Sequence, residues 1–117
     1  MRSLLSFLIL LSIFCIRPCY AITFDSGRQT ATAGTRVQLS TTSVPCQRLV
    51  ISAMDSNTDT VAIGGSDVVS TSATRNGLIL FPGQTEYMDL GSGSNLTAIY
   101  LDTDVNDEGI TWVCINN

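Results

Sequence analysis

A chain of 117 residues, 44% of them hydrophobic and 14% charged, suffices for one compact core and leaves no room for a second domain. It contains no histidine and no lysine, and its formal charge is −4. These counts exclude a Ser-His or Cys-His nucleophile pair, a lysine base or Schiff base and an imidazole zinc site, and they disfavour binding to nucleic acid or an anionic membrane.

The N-terminus carries Arg2, an apolar run over residues 4–16 and a helix-breaking exit at Arg17 and Pro18. This layout predicts a secretory signal over residues 1–21, as a signal helix cut after Ala21. The run falls well short of the roughly 20 apolar residues a spanning helix needs, so no stable membrane anchor is expected. Phe14 before Cys15 and Pro18 before Cys19 do not fit a lipoprotein signal, which has a small residue at that position. Cleavage removes Arg2 and Arg17 but no acid, leaving a more acidic domain over residues 22–117 whose bases are Arg28, Arg36, Arg48 and Arg75. It also removes two of the four cysteines. The remaining pair, Cys46 and Cys114, reads as a disulfide of an exported protein, periplasmic or extracellular. Closing so long a loop is worth about 4 kcal/mol. Two buried reduced thiols are the alternative.

From Ile22 onward no apolar three-and-four spacing is long enough for a helix, and strands are expected throughout. Residues 37–40 read as a short strand led in by Ala33, Gly34 and Thr35. Residues 49–53 form a dense apolar run suited to a central strand covered on both sides. A turn over 56–59 leads to a strand at 61–63, and the two strands read as a hairpin. Residues 66–76 are polar apart from Val68 and Val69 and read as a loop with a short strand. A strand at 78–81 ends in Pro82 and Gly83, a pair suited to a tight turn, and another follows over 85–90. Residues 91–95 reverse the chain. The strands at 97–102 and 110–115 read as the clearest hairpin, with Gly109 at the left-handed bulge position of its loop. About eight short strands at regular spacing predict an all-β fold, an antiparallel β-sandwich of immunoglobulin-like or jelly-roll type.

Few residues suggest chemistry. Paired carboxylates can hydrolyse glycosides, but no spacing singles out a pair, and no catalytic residue, metal or other cofactor is expected. Asp102, Asp104, Asp107 and Glu108 place oxygens as the start of a calcium loop does. Asp107 stands where an EF-hand has glycine and Val113 where it has its bidentate glutamate, so the stretch reads as a solvated hairpin tip, with a weaker calcium site as the alternative. Asn95, Leu96 and Thr97 fit a glycosylation acceptor on an exposed turn. Trp112, Tyr87 and Tyr100 would make a carbohydrate-stacking face if they projected together, but Trp112 alternates with Cys114 and reads as core.

The order of segments Gly34-Thr35-Arg36-Val37-Gln38-Leu39-Ser40, Leu49-Val50-Ile51-Ser52-Ala53 and Asn57-Thr58-Asp59-Thr60-Val61-Ala62-Ile63-Gly64 resembles small β-sandwich virion proteins of tailed phages, of the head-decoration or head-fibre type. Gly77-Leu78-Ile79-Leu80-Phe81-Pro82-Gly83-Gln84 and Leu96-Thr97-Ala98-Ile99-Tyr100-Leu101-Asp102 extend the likeness over most of the domain. The resemblance implies a non-enzymatic structural subunit on a virion surface, with protein partners through strand edges or faces, as a homo-oligomer or on a capsid. An export signal and a disulfide depart from that pattern, because tailed-phage virions assemble in the cytoplasm. The second expectation is a secreted module that recognises a cell-surface glycan or protein.

Overall fold

The computed structural model describes residues 20–117. The secretory-signal expectation falls mainly on residues 1–19, which lie outside the described residues. The chain forms β1 (Thr23–Thr30), β2 (Val37–Gln38), β3 (Arg48–Ala53), β4 (Val61–Gly64), β5 (Leu78–Leu80) and β6 (Thr85–Asp89). A 3-10 turn at Leu96–Ala98 then precedes β7 (Tyr100–Thr103) and β8 (Gly109–Asn116).

The pairing is nested: β1 with β8, β2 with β7, β3 with β6 and β4 with β5, all antiparallel. One long hairpin therefore runs from the chain ends to its tip at residues 65–77. Rolling that hairpin up brings β3 against β8 and β4 against β7, which gives sheets ordered β1-β8-β3-β6 and β2-β7-β4-β5. This is the jelly-roll connection, and it decides between the two sandwich types left open by strand content.

Period-two alternation aims the core residues inward. Leu49, Ile51, Ile110 and Trp112 of one sheet meet Val61, Ile63, Leu80 and Leu101 of the other, all of them buried. β3 alternates between buried and half-buried positions, so it is covered on one side rather than on both as expected. Trp112 is 8% exposed and belongs to the core, as its alternation with Cys114 implied.

Both expected hairpins are corrected. β3 and β4 lie in opposite sheets, and so do β7 and β8. Their connections are arches between the sheets, and two buried polar side chains tie the arches to each other. The Asn57 side chain donates to Gly109 O at 2.8 Å and accepts from Gly109 N at 3.1 Å. Glu108 Oε1 accepts from Thr58 N, from Thr58 Oγ1 at 2.7 Å and from Asp59 N at 3.0 Å.

Three smaller expectations also change. The eighth strand is β1 rather than a strand in 66–76, where an isolated bridge joins Val69 to Asn76. The left-handed residue of the last loop is Asp107, at φ 62, and Gly109 sits inside β8. Residues 97 and 98 belong to the 3-10 turn rather than to β7.

Candidate functional site

The two sheets differ in what covers their outer faces. On the β2-β7-β4-β5 sheet, the segment 65–77 folds back over the outside. Its Val68 is buried, and a Cβ added at Gly64 would stand 3.3 Å from Val68 Cγ2, so the loop packs against the end of β4. Asp102, which points outward from β7, accepts from Ser70 N at 2.8 Å, and Ser70 Oγ lies 2.6 Å from Asp104 Oδ1. Arg75 closes the loop by donating to Ser70 O at 3.1 Å and to Thr60 Oγ1 at 3.0 Å.

The acidic stretch is solvated at its middle, where Asp104 and Asp107 are exposed, but it is an arch between sheets rather than a hairpin tip, and its flanking acids are not solvated. Asp102 and Glu108 are buried, and each receives donors from a neighbouring loop. Buried carboxylates need such donors to offset their desolvation. Among the described residues, Asp102 Oδ1 and Glu108 Oε2 have no partner, nor does Trp112 Nε1. Among the described residues no three His, Cys, Asp or Glu side chains stand together as a metal-binding group.

Among the described residues, nothing covers the outer face of the β1-β8-β3-β6 sheet. Register sets three rows across it: Phe24, Ile115, Arg48 and Asp89; then Ser26, Val113, Val50 and Tyr87; then Arg28, Thr111, Ser52 and Thr85. Phe24 pairs with Ile115, which lies on the same face as Val113, and Val113 pairs with Val50, which pairs with Tyr87. The five apolar side chains make one diagonal stripe from edge to edge. Phe24 is 67% exposed, Tyr87 56% and Val113 38%, with Val50 and Ile115 half-buried. A contiguous exposed apolar patch marks an interaction surface more often than scattered apolar residues do.

The three aromatic residues considered for carbohydrate stacking are not brought together. Trp112 is in the core, Tyr87 lies on this open face and Tyr100 is on the other sheet. Asn95 is half-buried rather than exposed. Its side chain caps the 3-10 turn by accepting from Thr97 N at 3.1 Å and from Val44 N at 3.2 Å, and it donates to Ser43 Oγ at 2.7 Å.

Cys46 and Cys114 are bonded, with Cα atoms 5.6 Å apart, inside the range a disulfide requires. A cavity of about 410 Å3 opens beside the bridge, lined in part by Thr23, Asp25, Ser94 and Asn116. Its polar groups are largely committed to the fold: Asn116 accepts from Gln47 N at 2.9 Å and donates to Pro45 O at 2.9 Å, and Ser94 Oγ donates to Leu90 O at 2.6 Å. Among the described residues no helix is long and apolar enough to cross a membrane.

The apolar stripe was not singled out from sequence. The signal for it lay in β8, where Val113 and Ile115 are as apolar as Trp112 and Cys114, so that neither face of the strand is polar. Comparison with known protein families, proteins and solved structures finds no match for this chain.

Proposed function

We propose that this chain is an exported, non-enzymatic structural subunit that docks onto a larger assembly through the open face of the β1-β8-β3-β6 sheet. The observation that carries this reading is the uncovered stripe of Phe24, Ile115, Val113, Val50 and Tyr87. Leaving such area in water forgoes about 25 cal/mol for each Å2 that a partner would cover. The other sheet shows how this fold covers an outer face with its own chain.

Two further features support the reading. The absence of histidine and lysine removes the usual bases, and the buried acids serve as hydrogen-bond acceptors for loops rather than facing a cleft. The disulfide suits an oxidising compartment, in keeping with the signal-like residues 1–21. The assembly we propose is a virion surface, the setting implied by the resemblance to phage decoration proteins, in a virus whose subunits pass through a membrane.

The test is fractionation of the native source by density gradient, followed by intact-mass measurement with and without reductant. Co-sedimentation with particles, a chain beginning at Ile22 and a mass lighter by two hydrogens before reduction are the expected results. Val113→Asp should deplete the chain from particles while leaving it folded. A free protein that saturates with a glycan and never sediments with particles overturns the proposal in favour of the secreted binding module.

A further inference from the structure

The four sheet edges differ in length. β2 has 2 residues, β5 has 3 and β6 has 5, whereas β1 has 8. Short edges are one of the ways proteins avoid unwanted strand pairing. β1 lacks this protection, and it also lacks proline, lysine and any break in its register from Thr23↔Asn116 to Thr30↔Gly109, so that its charged residues, Asp25 and Arg28, are what guards it.

Register identifies the backbone groups left unpaired among the described residues. Met54 N donates to Gly109 O, so Gly109 and every second residue after it in β8 turn their backbone toward β3. The alternate residues Ile110, Trp112 and Cys114 turn theirs toward β1, where they meet Gln29, Gly27 and Asp25. The N–H and C=O groups of Phe24, Ser26 and Arg28 therefore point away from the sheet, along the free edge.

We propose that two copies of this chain pair antiparallel through β1, with Ser26 opposite Ser26 across a two-fold axis. An antiparallel edge pairs with itself through such an axis, giving an isologous dimer. The Ser26-centred register supplies about six inter-chain backbone hydrogen bonds. It sets Phe24 opposite Arg28 of the second copy, on the same face, where guanidinium and ring attract. Asp25 falls opposite Gly27, which has no side chain to oppose it. Centring on Asp25 or on Arg28 would place like charges directly opposite each other, which destabilises a strand pair. The dimer joins two four-stranded sheets into one continuous sheet, and the apolar stripes of both copies then lie on a common outer face. It depends on the edge alone, and so stands or falls independently of what occupies that face.

The experiment uses the full chain produced with its own N-terminus in an exporting host. Sedimentation should give twice the protomer mass. Ser26→Cys should form an inter-chain disulfide on oxidation, because residues opposite each other in a hydrogen-bonded pair have Cα atoms about 5.5 Å apart. Arg28→Cys should not, because its own copy lies several residues away along the pair. Ser26→Pro removes an N–H that the protomer does not use, and should weaken self-association at least about tenfold, with the unfolding midpoint equal to that of the wild type when both are measured dilute enough to be monomeric. Ser26→Lys, which sets two like charges at the axis, serves in its place if the proline variant fails to fold. A monomeric wild-type protein, equal cross-linking at positions 26 and 28, or an open-ended polymer overturns the proposal.

Discussion

Two glycines next to the β1–β8 ladder show how a single absent methyl group can fix a fold. A Cβ at Gly109 would lie 2.0 Å from the Gln29 carbonyl oxygen and 2.8 Å from Thr30 Cα. Both atoms belong to the backbone of a paired strand, so neither yields without loss of the ladder. A Cβ at Gly27 would instead lie 2.5 Å from Trp112 Cζ2, a side-chain atom. That indole has no hydrogen bond at Nε1 among the described residues to hold it in place. Gly109→Ala should therefore cost about 3 kcal/mol or more, and Gly27→Ala about 1 to 2 kcal/mol, the range expected for overpacking that a side chain can relieve. Urea unfolding midpoints of the two variants check the order, and equal losses would mean that the indole is as fixed as the backbone. Gly109 was noticeable in the sequence for a different reason, as the left-handed residue of a loop. The close approach that requires glycine comes from β1, which is distant in sequence, and no local pattern reports it.

At the scale of elements, most strand spans were legible and their partners were not. Alternation of apolar residues in 49–53 and 110–115 states which side chains face the core, and it says nothing about which strand lies alongside. The hairpins expected between sequence neighbours failed because residues 54–60 and 104–108 are held by contacts between arches. Asn57 and Glu108 look like ordinary loop residues in sequence, yet both are buried. Asn57→Ala would strand the Gly109 N–H in the interior, and the penalty for an unsatisfied buried donor is about 1 to 3 kcal/mol. Thermal or urea unfolding should show that loss as a global one, because the arch it frees joins both sheets. Ser70→Ala acts differently. It removes a hydroxyl between Asp102 and Asp104 from a loop that lies over the outside of a complete sheet. Faster hydrogen exchange confined to residues 66–76, with a loss of global stability no larger than about 1 kcal/mol, the worth of one hydrogen bond, is the expected result. Global destabilisation beyond that would show that the loop is part of the core rather than a cover on it. β1 was missed because its residues, Thr23, Phe24, Asp25, Ser26, Gly27, Arg28, Gln29 and Thr30, carry no apolar alternation. Its position at the edge of a sheet explains that, since among the described residues only β8 flanks it.

For the whole molecule, the rolled hairpin places both chain ends of the domain on the same sheet, and the disulfide anchors that sheet at one end. Cys46 lies in the crossing from β2 to β3, and Cys114 lies on β8 beside Leu49. The bond closes a separation of 68 residues, so the loop-entropy model assigns it about 4 kcal/mol. Backbone contacts hold the same end: Cys46 N donates to Ser94 O at 2.9 Å and Leu96 N to Val44 O at 3.0 Å. These contacts and the bond act on different states. The backbone bonds stabilise the folded end, whereas the disulfide chiefly removes conformations from the unfolded chain. The double variant Cys46→Ala with Cys114→Ala should therefore keep the native fold and lower the melting temperature on the order of 20 °C, since a domain of this size loses about 4 to 8 °C per kcal/mol. Reductant should reproduce most of that fall in the wild-type protein and have no effect on the double variant. A fall of only a few degrees would mean that the unfolded chain already keeps the β2–β3 crossing near β8. The jelly-roll closure would then be encoded in the contacts of residues 43–47 with 94–96, with the disulfide added to an end that is already formed.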